Sequence, residues 1–297
     1  MAHADQPGHG RSVAVIGTGI MGSAIARNLL AAGFRTSVWD RSPASVEPLV
    51  AAGAIGARSA REAARDADVV ITMLATHEAI NSVIFDQGTI DAFAQDCVWA
   101  QMATIGVEET LEIARRVAGQ RTDVAFVDAP VSGTKGPADR GELSILASGP
   151  EPAQKVLAPI FSVLGRKTVW LGEAGQGTRM KMVLNAYLAI LIEGVAEAAE
   201  LADRLGVEHR QLAAAVEGGP LAAPLALAKL RKIDEHDYEP EFPLQWALKD
   251  VDLALEASRG DSLPVLTALS RQWHAAVSQG HGREDVSAAR LALGDDS

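Results

Sequence analysis

Ten residues constrain this chain more than any others: Val13-Ala14-Val15-Ile16-Gly17-Thr18-Gly19-Ile20-Met21-Gly22. Four apolar, mostly β-branched residues read as a buried strand. A G-x-G-x-x-G turn follows at once, and an Ala-rich amphipathic run, Ser23 to Ala32, follows the turn. Gly17 permits the tight turn, Gly19 lets a pyrophosphate approach the backbone, and Gly22 lets helix and strand pack closely. The unpaired N–H groups and positive end of the helix then face the phosphates. Gly17, Thr18, Gly19, Ile20, Met21 and Gly22 are therefore candidate cofactor-binding residues. A glycine-rich loop in an ordinary α/β protein is the competing reading. The flanking strand and helix weigh against it, as does Asp40, which closes the next strand eighteen residues past Gly22, near the expected distance for a group reaching the adenosine ribose.

The residues after that strand leave the cofactor open. Asp40 accepts from a ribose 2′-OH and repels a 2′-phosphate, favouring NAD. Arg41 and Ser42 suit a 2′-phosphate, favouring NADP, although Arg41 also reads as a solvated turn residue. The reading leans to NADP. Leu74 and Ala75, at the end of the buried strand Asp68–Leu74, are placed with the cofactor-binding residues.

At 297 residues the length favours one large domain or two ordinary ones. A formal charge of −11 disfavours nucleic acid or an anionic membrane as partner. A single cysteine, Cys97, excludes an internal disulfide framework and a cysteine-cluster metal site; it sits in an apolar run and reads as a core thiol. The histidines make no metal-ligand spacing, so no metal site is expected. Met1 to Arg11 reads as a polar leader without the apolar core of a signal peptide. The longest apolar run, Met182 to Ile192, is interrupted by Asn185 and is shorter than a membrane span. A cytoplasmic protein is expected.

Strand signals at Val13–Ile16, Thr36–Trp39, Asp68–Leu74, Cys97–Met102 and Val124–Asp128 alternate with helical runs. That alternation implies a parallel, doubly wound sheet of Rossmann type. Two further strands are expected at Leu143–Ala147 and Lys167–Leu171, with a helix from about Pro152 to Leu164. From Thr178 to Leu205 neither Pro nor a strand signal intervenes, and Gly206 offers a stop. Such a helix is about 42 Å long, which suits a spine between two domains. Everything beyond it reads helical: His209–Val216, Leu221–Leu230, Leu244–Ser258 and Leu266–Gln279. The expected fold is α/β plus all-α: a nucleotide-binding domain over 12–175, then a helical domain over 176–297 that includes the bridging helix 178–205.

Ligands of doubly wound folds sit outside the carboxyl ends of the strands. There the segment Asp128-Ala129-Pro130-Val131-Ser132-Gly133-Thr134-Lys135-Gly136 reads either as a turn or as a backbone-and-hydroxyl cradle for a carboxylate. Lys181 and Asn185, four apart, share a helix face among apolar neighbours. A lysine there reads as a surface residue with its ammonium in water. At a helix that begins where two domains meet, it reads instead as a donor to a substrate oxygen.

Four separated motifs, in order, now support a resemblance: Gly17 to Gly22; Asp128-Ala129-Pro130-Val131-Ser132-Gly133; Lys181 with Asn185; and Phe242-Pro243-Leu244 followed by Lys249-Asp250. Together they resemble the 3-hydroxyisobutyrate dehydrogenase, or β-hydroxyacid dehydrogenase, family. The resemblance implies hydride transfer between a nicotinamide cofactor and a short 3-hydroxy acid or its semialdehyde. It implies Lys181 as general acid/base and Ser132, Gly133, Thr134 and Asn185 as substrate residues. Thr104 is then placed beside the nicotinamide and Lys249 close to cofactor and site. A homodimer or homotetramer is implied as well. Ala103, Thr134 and Ala186 stand where the family commonly has Ser, Gly and a second Asn, which leaves the substrate open. An imine reductase-like enzyme and a non-catalytic dinucleotide-binding protein are the alternatives.

Overall fold

The computed structural model describes residues 10–258 and 263–293, and the chain divides into two compact units, Met1–Lys181 and Met182–Ser297.

In the first unit β1 (Ser12–Ile16), α1 (Ile20–Ala31), β2 (Arg35–Trp39), α2 (Pro43–Ala51), β3 (Ile55–Gly56), α3 (Ala60–Ala64) and β4 (Val69–Thr72) come first. Next are α4 (His77–Ile80), β5 (Val98–Gln101), α5 (Val107–Gln120) and β6 (Ala125–Asp128). The six strands form one sheet of order β3-β2-β1-β4-β5-β6, parallel throughout. Successive side chains point to opposite faces, so Val13 and Val15 enter one core with Ile25 and Leu29 of α1. Ala14 and Ile16 enter the other, with Trp99, Phe126 and Ile113 of α5. With both faces covered, the strands are apolar runs rather than alternating ones. Cys97 is buried in the second core, and burial pushes its thiol up to about 12.

Beyond β6 come β7 (Val131–Ser132), α6 (Lys135–Asp139), β8 (Leu143–Ala147), α7 (Glu151–Leu164) and β9 (Gly165–Trp170). These three strands form a sheet of their own, with β7 antiparallel to β8. The expected strands exist here, but they do not extend the parallel sheet. Of the polar leader, 1–9 lie outside the described residues, and Arg11 donates to the Val156 carbonyl.

α8 (Gln176–Leu205) runs from the first unit into the second. Its thirty residues make about 45 Å of helix. Gly206 (φ +70°) ends it, with Val207 N–H on the Ala202 carbonyl in the manner of a Schellman stop. Over an 18-residue stretch α8 is apolar enough to cross a membrane by length and composition. Asn185 hides this from a reading by uninterrupted runs. The second unit adds α9 (His209–Val216), α10 (Pro224–Asp234), α11 (Leu244–Ala257) and α12 (Pro264–Ser278). The helix expected over Leu221–Leu230 thus begins later, at a proline suited to a first turn. Lys229 on α10, only 1% exposed, pairs with buried Asp285 at 2.8 Å and with Glu241 at 3.2 Å.

Candidate active site

Because β1, β2, β4, β5 and β6 are parallel, their carboxyl ends share one edge, and the turns that follow them lie there. Gly17 has φ +95°, and a Cβ on it would stand 2.7 Å from the Met73 carbonyl oxygen. A Cβ on Gly22 would stand 1.9 Å from the Gly17 oxygen. Both positions therefore need glycine for packing within the protein. Gly19 is different: a Cβ there meets nothing within 4 Å, and as N-cap of α1 it gives the first turn no side-chain bond. The space at the N-terminus of α1 is thus open at Gly19, as a pyrophosphate site requires. Thr18 is buried beneath the turn, its hydroxyl 2.9 Å from that of Ser45. Ile20 is exposed and Met21 half-buried.

Asp40 ties β2 to this turn. Its Oδ2 accepts from Thr18 N–H at 2.7 Å and its Oδ1 from Ser42 N–H at 2.8 Å. Beside it opens a hollow of about 730 Å³ lined by Trp39, Asp40, Arg41, Val46, Val50 and Arg58, among others. Arg41, Ser42 and Arg58 are exposed. Arg58 was not singled out from the sequence, because it joins this rim only through the short β2–β3 pairing.

Leu74 and Ala75 follow β4. The turn before Thr104 is braced by Gln101, whose amide donates to the Ala103 carbonyl at 2.7 Å and accepts from Ala103 N–H at 2.9 Å. Ser132 pairs with Ser144 across β7 and β8 and is half-buried. Gly133 has φ +139°, and a Cβ there would meet Leu143 at 2.8 Å. Thr134 is the N-cap of α6 without a side-chain bond to it. The segment 128–136 is thus a shaped loop held by the small sheet, not a bare turn.

Lys181 is 8% exposed and Asn185 4% exposed, one helical turn apart on α8. Burial removes the reading of Lys181 as a surface residue. Asn185 Nδ2 donates to Asp250 Oδ2 at 2.5 Å. Its Oδ1 is the acceptor end of the amide. Lys249, half-buried on α11, lies 3.0 Å from Asp250 Oδ1. Asn185, Asp250 and Lys249 therefore form one polar chain within the second unit. Asp250 closes the motif that carries Lys249, yet its bond to Asn185 was not legible there. Among the described residues no cluster of three or more His, Cys, Asp or Glu side chains suits a metal ion.

A glycine turn at a helix N-terminus, an acid at the end of β2 and a parallel sheet that carries both define a dinucleotide-binding protein. Residues 12–172 match the family model described as the NAD binding domain of 6-phosphogluconate dehydrogenase. Residues 175–292 match the one described as NAD-binding of NADP-dependent 3-hydroxyisobutyrate dehydrogenase. The chain is 34% identical to glyoxylate/succinic semialdehyde reductase 1 of Arabidopsis thaliana over 95% of its own length and 98% of the relative's. It is 33% identical to the NAD-dependent L-serine dehydrogenase of Pseudomonas aeruginosa, over 93% and 96%. The crystal structure of 3-hydroxyisobutyrate dehydrogenase from Salmonella typhimurium superposes with a TM-score of 0.86 at 27% identity, covering 95% of this chain and all of that one. The chain belongs to the 3-hydroxyisobutyrate dehydrogenase family and is an NAD(P)-dependent oxidoreductase acting on CH–OH groups. The non-catalytic alternative is thereby set aside.

Proposed function

We propose that this protein interconverts a short 3-hydroxy acid and its semialdehyde or keto acid, with Lys181 as general acid/base. The observation that carries the reading is a buried lysine one turn before Asn185, on the helix that starts beside the 128–136 loop. When bound, the nicotinamide cofactor supplies or accepts the hydride. In reduction Lys181, as an ammonium, polarises the substrate carbonyl and delivers the proton to its oxygen. In oxidation the neutral amine takes that proton back. Ser132, Gly133 and Thr134 hold the substrate carboxylate through backbone amides and hydroxyls. Asn185 orients the lysine or the substrate, Thr104 borders the nicotinamide, and Lys249 is placed with the cofactor-binding residues. The buried lysine, and relatives named as semialdehyde reductases and hydroxy-acid dehydrogenases, favour this chemistry over the imine reductase-like alternative.

NADP is the proposed cofactor. Arg41, Ser42 and Arg58 supply the donors a 2′-phosphate needs, while both oxygens of Asp40 are already engaged, Oδ2 by Thr18 N–H in the glycine turn and Oδ1 by Ser42 N–H. The proposed assembly is a homodimer or homotetramer, supported by the exposed apolar residues Val183, Tyr187, Ile190 and Leu221. A cytoplasmic location goes with this reading.

The test is a panel of short semialdehydes and 3-hydroxy acids, each with NADPH and NADH, run on the parent and on Lys181→Ala. A Lys181→Ala turnover within about tenfold of the parent contradicts the role given to the lysine, since general acid–base catalysis contributes about 10²–10⁴-fold. A clear preference for NADH overturns the cofactor assignment.

A further inference from the structure

Asp128 ends β6 and is fully buried, yet no substrate role is needed to explain it. Its carboxylate is surrounded by donors from elsewhere in the chain. Oδ2 accepts from Thr178 N–H at 2.8 Å, Ser148 Oγ–H at 3.0 Å and Gly175 N–H at 3.1 Å. Oδ1 accepts from Thr178 Oγ1–H at 2.7 Å. The Ser148 hydroxyl in turn accepts from Gly177 N–H at 2.9 Å. The amides at the start of α8 are therefore capped by side chains 50 residues (Asp128) and 29 residues (Ser148) upstream in sequence, not by a neighbour in the chain.

We propose that Asp128 is a positioning residue, acting on the reaction by setting the first turn of α8, and hence Lys181, against the 128–136 loop. This rests on the role given to Lys181 above. A local cap would satisfy the same amides without joining helix to loop. Asp128 does both, because Ala129 and Pro130 lead straight from it into Ser132 and Gly133, and Thr178 stands three residues before Lys181. A second observation agrees. A Cβ on Gly177 would stand 2.2 Å from the Leu146 carbonyl oxygen and 3.1 Å from Asp128 Oδ2, so the close seating of this turn needs glycine. Proton transfer demands the amine within hydrogen-bond reach of the substrate oxygen, and a displacement of about 1 Å costs about 10²-fold in rate.

The experiment is a double-mutant cycle on the full chain. Asp128→Ala is made in the parent and in Lys181→Ala, with Asp128→Asn and Gly177→Ala alongside. Turnover, KM and the affinity for reduced cofactor are measured for each variant. Asp128→Ala is expected to lower kcat by about 10²-fold while cofactor affinity stays within about twofold. Asp128→Asn, whose amide oxygen still accepts from Gly175 and Thr178, is expected to recover most of the loss. In the Lys181→Ala background the same change is expected to cost no more than about twofold, because groups acting through one another are not additive. Equal losses in both backgrounds reduce Asp128 to a prop for the fold and overturn the proposal. So does an Asp128→Ala turnover within about twofold of the parent. If Asp128→Ala does not fold, Thr178→Val, which removes the Oδ1 bond together with the 3.2 Å hydroxyl contact to Thr110, carries the same cycle, with Thr110→Val as its control. If Lys181→Ala itself keeps the parent rate, the functional reading fails and this one with it. If Lys181→Ala loses its rate and Asp128 adds the same factor in both backgrounds, only this one fails.

Discussion

Asp285 and Glu193 lie in the same helical unit, both more than nine-tenths buried, and their carboxyls are driven to opposite sides of the ordinary range. Burial pushes the Asp285 carboxyl up. The Lys229 ammonium, with its hydrogen bonds and those from Ser287, more than reverses the push and holds the group low. Asp285 also accepts from Glu241 N–H and Phe242 N–H, at 3.1 and 3.2 Å. Among the described residues Glu193 has one donor, the Trp273 indole N–H at 2.6 Å on Oε2, and its buried Oε1 has no hydrogen-bond partner. Burial therefore prevails there, aided by the charge of Glu197 one turn on, and the carboxyl rises to about 7. The lesson is that depth of burial does not decide the charge of a side chain. The number and charge of the donors that meet it do.

Three substitutions probe that contrast. Lys229→Met has the largest expected effect. It strands a buried carboxylate without its cation, at a cost of about 3–5 kcal/mol, read as a lower urea midpoint at pH 7. The loss shrinks near pH 4, where Asp285 takes a proton instead. Glu193→Gln acts in the other direction. The folded protein holds the Glu193 proton more tightly than the unfolded chain does, so stability falls as pH rises from about 4.5 to about 7 and then levels off. Abolishing that titration flattens the stability–pH curve in this window and raises stability at pH 8 by up to about 3 kcal/mol, measured by urea unfolding at pH 5 and pH 8. Trp273→Phe has the smallest effect. It removes the one donor to Glu193, costs about 1 kcal/mol, and moves the falling limb of the same curve to higher pH. A Trp273→Phe curve that coincides with the parent's would mean the indole does not set this carboxyl.

The features legible in the sequence are those whose cause is local. The strand, glycine turn and helix at Val13–Ala31 follow from residue types and spacing, and the structure shows why Gly17 and Gly22 admit no side chain. Ser59, a residue type suited to a helix N-cap, caps α3 and accepts from Glu62 N–H at 3.1 Å. The Glu62 carboxylate, though, takes the N–H of Arg58 rather than that of Ser59. Features set by distant partners were not legible. The start of α8 depends on Asp128, and Asn185 depends on Asp250, sixty-five residues away. The split of β7–β9 from the main sheet also escaped, because alternation identifies a strand but not the edge it pairs with. Lys229 carries no mark of burial either. On an amphipathic helix a lysine reads as a solvated residue until Asp285 is found opposite.

The lone sulfhydryl at position 97 has a practical use. With a pKa of about 12 and almost no accessible surface, it stays unreactive toward maleimide and iodoacetamide reagents at neutral pH. A cysteine introduced at an exposed position, such as Ala118 on α5, then becomes the single labelling point for a fluorophore or spin probe, with the native thiol left in place.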